Sequence, residues 1–204
     1  MADTNANARL EAFCDGVFAF ALTLLIVDVK LSATETIGGT AELWRALRHL
    51  TPSVFAFLSS FVIILITWVN HHGALKLVNK SSAPFIYANG FLLLTVVFIP
   101  FPTSLLGDFL VTDHAGPAVV LYDGLLAVQA AAWILVFRAA LHGQLGTDER
   151  SNSAMRGTMR NGYFAVALYA LLAVAALWIP LTIAIITAAS WLFWLALGLR
   201  LKHA

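Results

Sequence analysis

Arg9, Glu11 and Asp15 stand at the head of an apolar run, and the next charge after them is Asp28. A charged side chain at the centre of a bilayer costs about 2.5–3.5 kcal/mol on insertion scales, so such groups face a bundle interior or a water path. The 12 residues between Asp15 and Asp28 make about 18 Å of helix, well short of a hydrocarbon core of about 30 Å. Asp15 must therefore sit at or inside the membrane edge. The chemistry on offer is the holding of a helix, a proton or a cation within a membrane.

Arg9 and Asp15 lie about 9 Å apart along a helix and about 120° around it, a poor geometry for pairing with each other. Each needs a partner on another helix. The second apolar segment ends in Trp68, Asn70, His71 and His72, where an indole N–H and imidazole nitrogens could bond a carboxylate. A structural ion-pair network and a proton- or ligand-sensing cluster are both open at this point. Adjacent histidines point about 100° apart on a helix and no Cys, Asp or Glu completes a ligand set, so no metal site is expected.

On a wheel of about 100° per residue, Phe13, Phe20, Leu24 and Val27 fall within about 60°, flanked by Gly16 and Thr23. In a membrane helix such a stripe ordinarily serves packing or lipid contact. Repeated around an axis, it would form bulky apolar layers that gate by dewetting, with the Thr23 hydroxyl beside them. The chain carries no HExxH, GxSxG or P-loop pattern, and no enzyme is expected. Asp123, between Tyr122 and Gly124, could be a buried functional acid, but its place near the start of a helix favours an acid that reaches water at an interface.

The elements that must position these residues follow from composition. The chain has 204 residues, of which 60% are hydrophobic and 11% charged, and a mean hydropathy of +0.85. That excludes a soluble domain and points to an all-α integral membrane protein. The net charge of +1 gives no reason for a nucleic-acid partner. A single cysteine, Cys14, excludes an intrachain disulfide. No small-residue cleavage site follows the first apolar run, so that helix is expected to be retained.

Six stretches are long enough to span, at about 10–31, 52–69, 84–106, 116–137, 162–179 and 180–199, in one domain covering 1–204. The second could begin earlier, near Leu43. Ile99-Pro100-Phe101-Pro102 should kink or end the third. The run from Gly162 to Leu199 is uncharged and, as one helix, about 57 Å long. It must fold back, and Trp178-Ile179-Pro180 is the place. Polar loops are expected at about 32–42, 72–83, 107–115 and 143–158. Arg9, Lys76, Lys80, Arg138, Arg150, Arg156, Arg160, Arg200 and Lys202 fall on the side of the termini, against Lys30, Arg45 and Arg48 opposite. The positive-inside rule then makes both termini cytoplasmic in a multi-pass protein of the cell membrane.

The run Arg9-x-x-x-Phe13-Cys14-Asp15-Gly16 and the apolar helix after it closely resemble the Arg-x-x-x-Phe-Ser-Asp-Gly signature of prokaryotic relatives of the lysosomal potassium channel known as transmembrane protein 175. The similarity continues in Trp68-x-x-His71-His72, in Asn89-Gly90-Phe91-Leu92-Leu93-Leu94 and in Phe98-Ile99-Pro100-Phe101-Pro102-Thr103. The resemblance implies a six-helix subunit of a homotetrameric, potassium-permeable cation channel that lacks a selectivity-filter loop and is lined by the first helix. It further implies that Phe20, Leu24 and Val27 form the constriction layers and that Thr23 bears on potassium selectivity. Arg9, Phe13, Cys14, Asp15, Trp68, His71 and His72 fall in its structural signature network. Cys14 stands where the signature has Ser, a weaker hydrogen-bond partner, and Phe20 where Ile or Leu is usual. The expected partners are other copies of the chain, membrane lipids and monovalent cations, with no cofactor beyond permeant K⁺. A proton-permeable channel or acid sensor is the alternative. A small secondary transporter using Asp15 and Asp123 is a further one.

Overall fold

The computed structural model describes residues 7–30 and 37–201, without the side chains of Asp28 and of residues 192–201. Leu31, where the first span was expected to end, residues 32–36 of the first expected loop, and Lys202 lie outside the described residues. The elements are α1 (Ala8–Leu24), a 3₁₀ turn (Leu25–Asp28), α2 (Thr40–His49), α3 (Thr51–Leu75), α4 (Ala83–Phe98), α5 (Pro100–Phe109), α6 (Ala115–His142), α7 (Glu149–Ala175) and α8 (Pro180–Leu201). Among the described residues, Ala8–Val27, Thr51–Leu75, Ala83–Phe109, Ala115–His142 and Glu149–Ala175 are long and apolar enough to cross a membrane, and Pro180–Trp191 is a shorter apolar helix. The protein is a multi-pass, all-helical membrane protein.

Local signals set the helix boundaries. Prolines open α3, α4 and α5 within their first turn, where a missing N–H costs nothing. Between α4 and α5 the chain keeps helical dihedrals at Ile99, so Pro100 breaks the bonding ladder without turning the chain back. Ile99 N–H donates to Val96 O at 3.2 Å, occupying the carbonyl that Pro100 leaves without its donor, a repair that membrane helices need, and Thr103 Oγ1–H adds a bond to Ile99 O at 2.7 Å. Gly107 lets α5 cross close to α3: a Cβ there would lie 2.9 Å from Ser53 Oγ and 3.0 Å from Ser53 Cα.

Two expected boundaries move. The second span does not begin near Leu43, because α2 is a separate helix ending before Leu50. It carries exposed Leu43, Trp44 and Leu47 beside Arg45 and Arg48, the pattern of a helix that lies along an interface. The fifth helix starts at Glu149, not near Gly162, so the expected loop at 143–158 shrinks to the residues before it. Asp148 supplies the N-cap, accepting from the Ser151 N–H at 2.7 Å, and hydropathy could not see a charged helical extension that leaves the hydrocarbon. This bond and that of the Ser151 hydroxyl hold the Asp148 carboxyl below the usual carboxylate range.

The core is built in two clusters. One gathers Phe18, Ile63, Val96, Leu126 and Tyr169; the other gathers Leu75, Phe85, Leu92, Phe137 and Met155 at the end where α3, α6 and α7 have their loops. There the α3–α4 and α6–α7 loops are joined by a single antiparallel bridge, Val78 to Gly146. Asn79 N–H donates to Leu145 O and Thr147 N–H to Leu77 O, both at 3.0 Å. Several polar groups inside the bundle are paired: Ser60 Oγ lies 2.7 Å from Thr103 Oγ1 and 2.8 Å from Tyr122 Oη. Asp123 is fully buried and accepts from Thr187 Oγ1 at 2.8 Å. The interfacial position expected for it is therefore incorrect: α6 starts at Ala115, which carries Asp123 two turns into the bundle.

Candidate pore-lining helix and its anchoring network

α1 is a helix with two different sides. Cys14, Phe18, Ala21 and Leu25 are buried and, at spacings of four, three and four, form one stripe packed on α3 and α4. The opposite side carries Arg9, Ala12, Phe13, Gly16, Ala19, Phe20, Thr23 and Val27, all exposed. Phe13, Phe20 and Val27 remain 62%, 59% and 60% exposed, so most of each is left uncovered among the described residues. Leu24 is half-buried. It falls about 90° from the centre of the buried stripe on the wheel, at the edge of the bare face, whereas Thr23 lies near the middle of that face.

Two polar rungs fix this rotation. Trp68 Nε1–H donates to Asp15 Oδ1 at 2.8 Å. One turn away, His72 Nδ1 meets Glu11 Oε1 at 2.9 Å, and the Trp68 and His72 rings stack at 6.4 Å. Glu11 and Asp15 are four apart on α1, as are Trp68 and His72 on α3. They meet in reverse order, as antiparallel helices require. Glu11 is the partner that the sequence reading left unassigned, and the matched four-residue spacing was the signal for it.

His71 points elsewhere. Its Nε2 bonds Asn89 Oδ1 at 2.9 Å, and Asn89 Nδ2 donates to Phe85 O at 2.7 Å. The ring contacts Phe18 at 5.5 Å and Trp133 at 6.2 Å. His71 thus ties α3 to α4 beneath the buried stripe of α1. Cys14 is buried in that stripe, and Asn70 is exposed. Arg9 is exposed and forms no ion pair among the described residues. Asn7 Nδ2 donates to Val78 O at 3.2 Å, which fixes the foot of α1 to the bridged loops.

Thr23 Oγ1–H donates to the Phe20 carbonyl at 2.8 Å. That bond uses the only proton of the hydroxyl and leaves its oxygen as an acceptor. The bare face therefore consists of apolar layers with one acceptor oxygen and no charge between Arg9 and the 3₁₀ turn.

The family model described as endosomal/lysosomal potassium channel TMEM175 matches residues 9–100. A potassium channel of Chamaesiphon minutus is 40% identical over 141 residues, 68% of this chain and 68% of that relative. The chain belongs to the TMEM175 family. A potassium channel of Streptomyces collinus is 40% identical over 137 residues, 64% of this chain and 65% of its own length. The crystal structure of a lysosomal potassium-selective channel TMEM175 homolog from Chamaesiphon minutus superposes with a TM-score of 0.78 at 32% identity, over 92% of this chain and 96% of that one. These TMEM175 relatives are ion channels, not enzymes. The TMEM175 match runs from α1 to the Pro100 break, and so takes in both rungs, His71 and Asn89.

Proposed function

We propose that the chain is one subunit of a potassium-permeable channel, a homotetramer of six-spanning subunits in the cell membrane with cytoplasmic termini. The bare face of α1 turns to the fourfold axis. K⁺ passes without a filter loop and without a cofactor, between layers contributed by Phe20 and Val27, with Leu24 at their margin and the Thr23 oxygen beside them.

One observation carries this reading. α1 is locked on one side by two polar rungs and a buried stripe, and it is bare on the other, where beyond Arg9 it presents phenyl groups and a hydroxyl oxygen instead of charge. Four such faces enclose a path whose apolar layers exclude water unless they widen, which is how a hydrophobic constriction gates. A threonine oxygen supplies part of what a dehydrating cation loses. A proton path along the same face would need titratable groups or a water file, and Asp15, Glu11, His71 and His72 are turned instead to Trp68, His72, Asn89 and Glu11 respectively.

The test is purified protein in planar bilayers under bi-ionic K⁺/Na⁺ conditions and, separately, under a pH gradient. Single-channel currents reversing towards the K⁺ equilibrium potential support the reading. Reversal at the proton potential establishes the acid-conducting alternative, and slow, saturable, coupled flux establishes a transporter. Native mass spectrometry should show four copies; a stable monomer or dimer in a membrane-like environment would sink the shared pore.

A further inference from the structure

A second site lies away from α1. The last two turns of α3, the middle of α6, α7 and the Trp191 turn of α8 enclose a cavity of about 410 Å³. This is the size range of small-ligand pockets. Exposed Asn70, Thr158 and Asn161 line its open side, and the remaining lining side chains are mostly apolar. Among the described residues, no Asp, Glu, Lys, Arg or His lines it.

Two polar groups in its wall have no protein partner. Gln129 is 2% exposed, and neither its Nε2 nor Trp191 Nε1 has a hydrogen-bond partner among the described residues. Buried donors are otherwise almost always satisfied. The terminal amide of Gln129 can present either end to the cavity by a half-turn about its last bond, and an indole only donates. The Trp191 ring is held by stacking on Tyr169 at 5.8 Å, and the Tyr169 hydroxyl is in turn 3.2 Å from Ser190 Oγ.

We propose that this cavity binds an uncharged amphiphile, a carbonyl- or ether-bearing molecule whose oxygen accepts from Gln129 and Trp191 and whose apolar body lies against Leu126, Trp133 and Phe137. A wall without charge disfavours an ionic headgroup, because a desolvated ion would find no counter-charge there. The same chemistry is available from a neutral glyceride of the membrane and from a free small molecule. The inference stands apart from the channel reading, since occupancy is read without current.

The experiment uses the full chain in phosphatidylcholine nanodiscs with two photo-crosslinking probes, each carrying a diazirine: a monoacylglycerol and an N-alkylbenzamide. Adducts mapped by mass spectrometry should fall on the cavity walls of α6 and α7. Gln129→Leu should raise the apparent Kd about fivefold, the loss of one neutral hydrogen bond. Ala165→Phe, which fills the space, should abolish labelling, with an unchanged thermal unfolding midpoint as the folding control. Labelling by only one probe identifies the membrane or the solution as the source, and labelling by both shows that the carbonyl chemistry suffices. Adducts confined to the outer helix faces, labelling unchanged in both variants, or no labelling because a neighbouring copy fills the cavity would each overturn the proposal. Where Gln129→Leu does not fold, Ala165→Phe decides.

Discussion

Removing the carboxylate of Asp15 should loosen α1 from α3 without changing which ion passes. Asp15 is half-buried, and its partner is a neutral indole N–H at 2.8 Å. What is lost is therefore a charge-assisted hydrogen bond, about 1.5–3 kcal/mol, and not a buried ion pair, whose rupture costs about 3–5 kcal/mol. Asp15→Ala and Trp68→Phe should each destabilise by about that smaller amount. For a chain of this length that is roughly 3–12 °C in Tm, measured by intrinsic fluorescence of the detergent-purified protein. The double variant should lose less than the two singles together, by about 1–2 kcal/mol, because the second substitution removes a group already unpartnered. Asp15→Asn keeps an acceptor oxygen and should fall between wild type and Asp15→Ala. A coupling below about 0.3 kcal/mol, within ordinary additivity, refutes the bond as an anchor. Normal stability of Asp15→Asn with a shifted bi-ionic reversal potential refutes it differently, by placing Asp15 at the ion path.

Phe20→Ala should widen and wet the proposed constriction, raising conductance and weakening ion discrimination, while Leu24→Ala, at the edge of the bare face, should change both less; equal effects would contradict the observed rotation of α1. Thr23→Val removes the acceptor oxygen at nearly constant volume and should shift permeability from K⁺ towards Na⁺ in bi-ionic recordings. An unchanged reversal potential with a lowered Tm would leave the Thr23 hydroxyl with only its bond to Phe20 O. Gly107→Ala places a methyl group against Ser53 of α3 and should cost about 1–3 kcal/mol through overpacking, read as a drop in Tm that Ser53→Gly does not restore, because the Ser53 Cα itself lies 3.0 Å from the added carbon.

The signature helix was readable because its charges and its apolar period occupy one short segment. The Pro100 break and the Pro180 restart were readable because proline acts locally: α5 and α8 both begin on those residues. Partner choice was not. Trp68, His71 and His72 were all plausible for Asp15, and only the register of α1 against α3 assigns Trp68 to Asp15, His72 to Glu11 and His71 to Asn89. A small rotation of either helix would exchange these roles, and no local pattern records it. Leu24 illustrates the same point on the wheel, where stripe membership near a boundary depends on what the neighbouring helices cover. The early start of α7 was missed for another reason. Hydropathy reports solvent, not helicity, although the Asp148 cap with Ser151 three residues on was present in the sequence.

The bonds that hold α1 are unevenly placed along it. Its polar attachments to other segments among the described residues, at Asn7, Glu11 and Asp15, lie in the N-terminal half, whereas beyond Asp15 apolar side chains seat it, Phe18, Ala21 and Leu25 fully buried and Val17 and Leu22 partly so. The helix is thus a lever clamped at its foot and free to slide on an apolar bearing at its head. Phe20 stands about 7.5 Å above Asp15, the last of these attachments, at 1.5 Å per residue, so a tilt of about 5° beyond the clamp carries its backbone by about 0.7 Å. Because Asn7 is bonded to Val78, in the loop bridged to Gly146, the fulcrum is shared with the α6–α7 hairpin, and a force applied to that hairpin reaches the foot of α1 without passing through the membrane core.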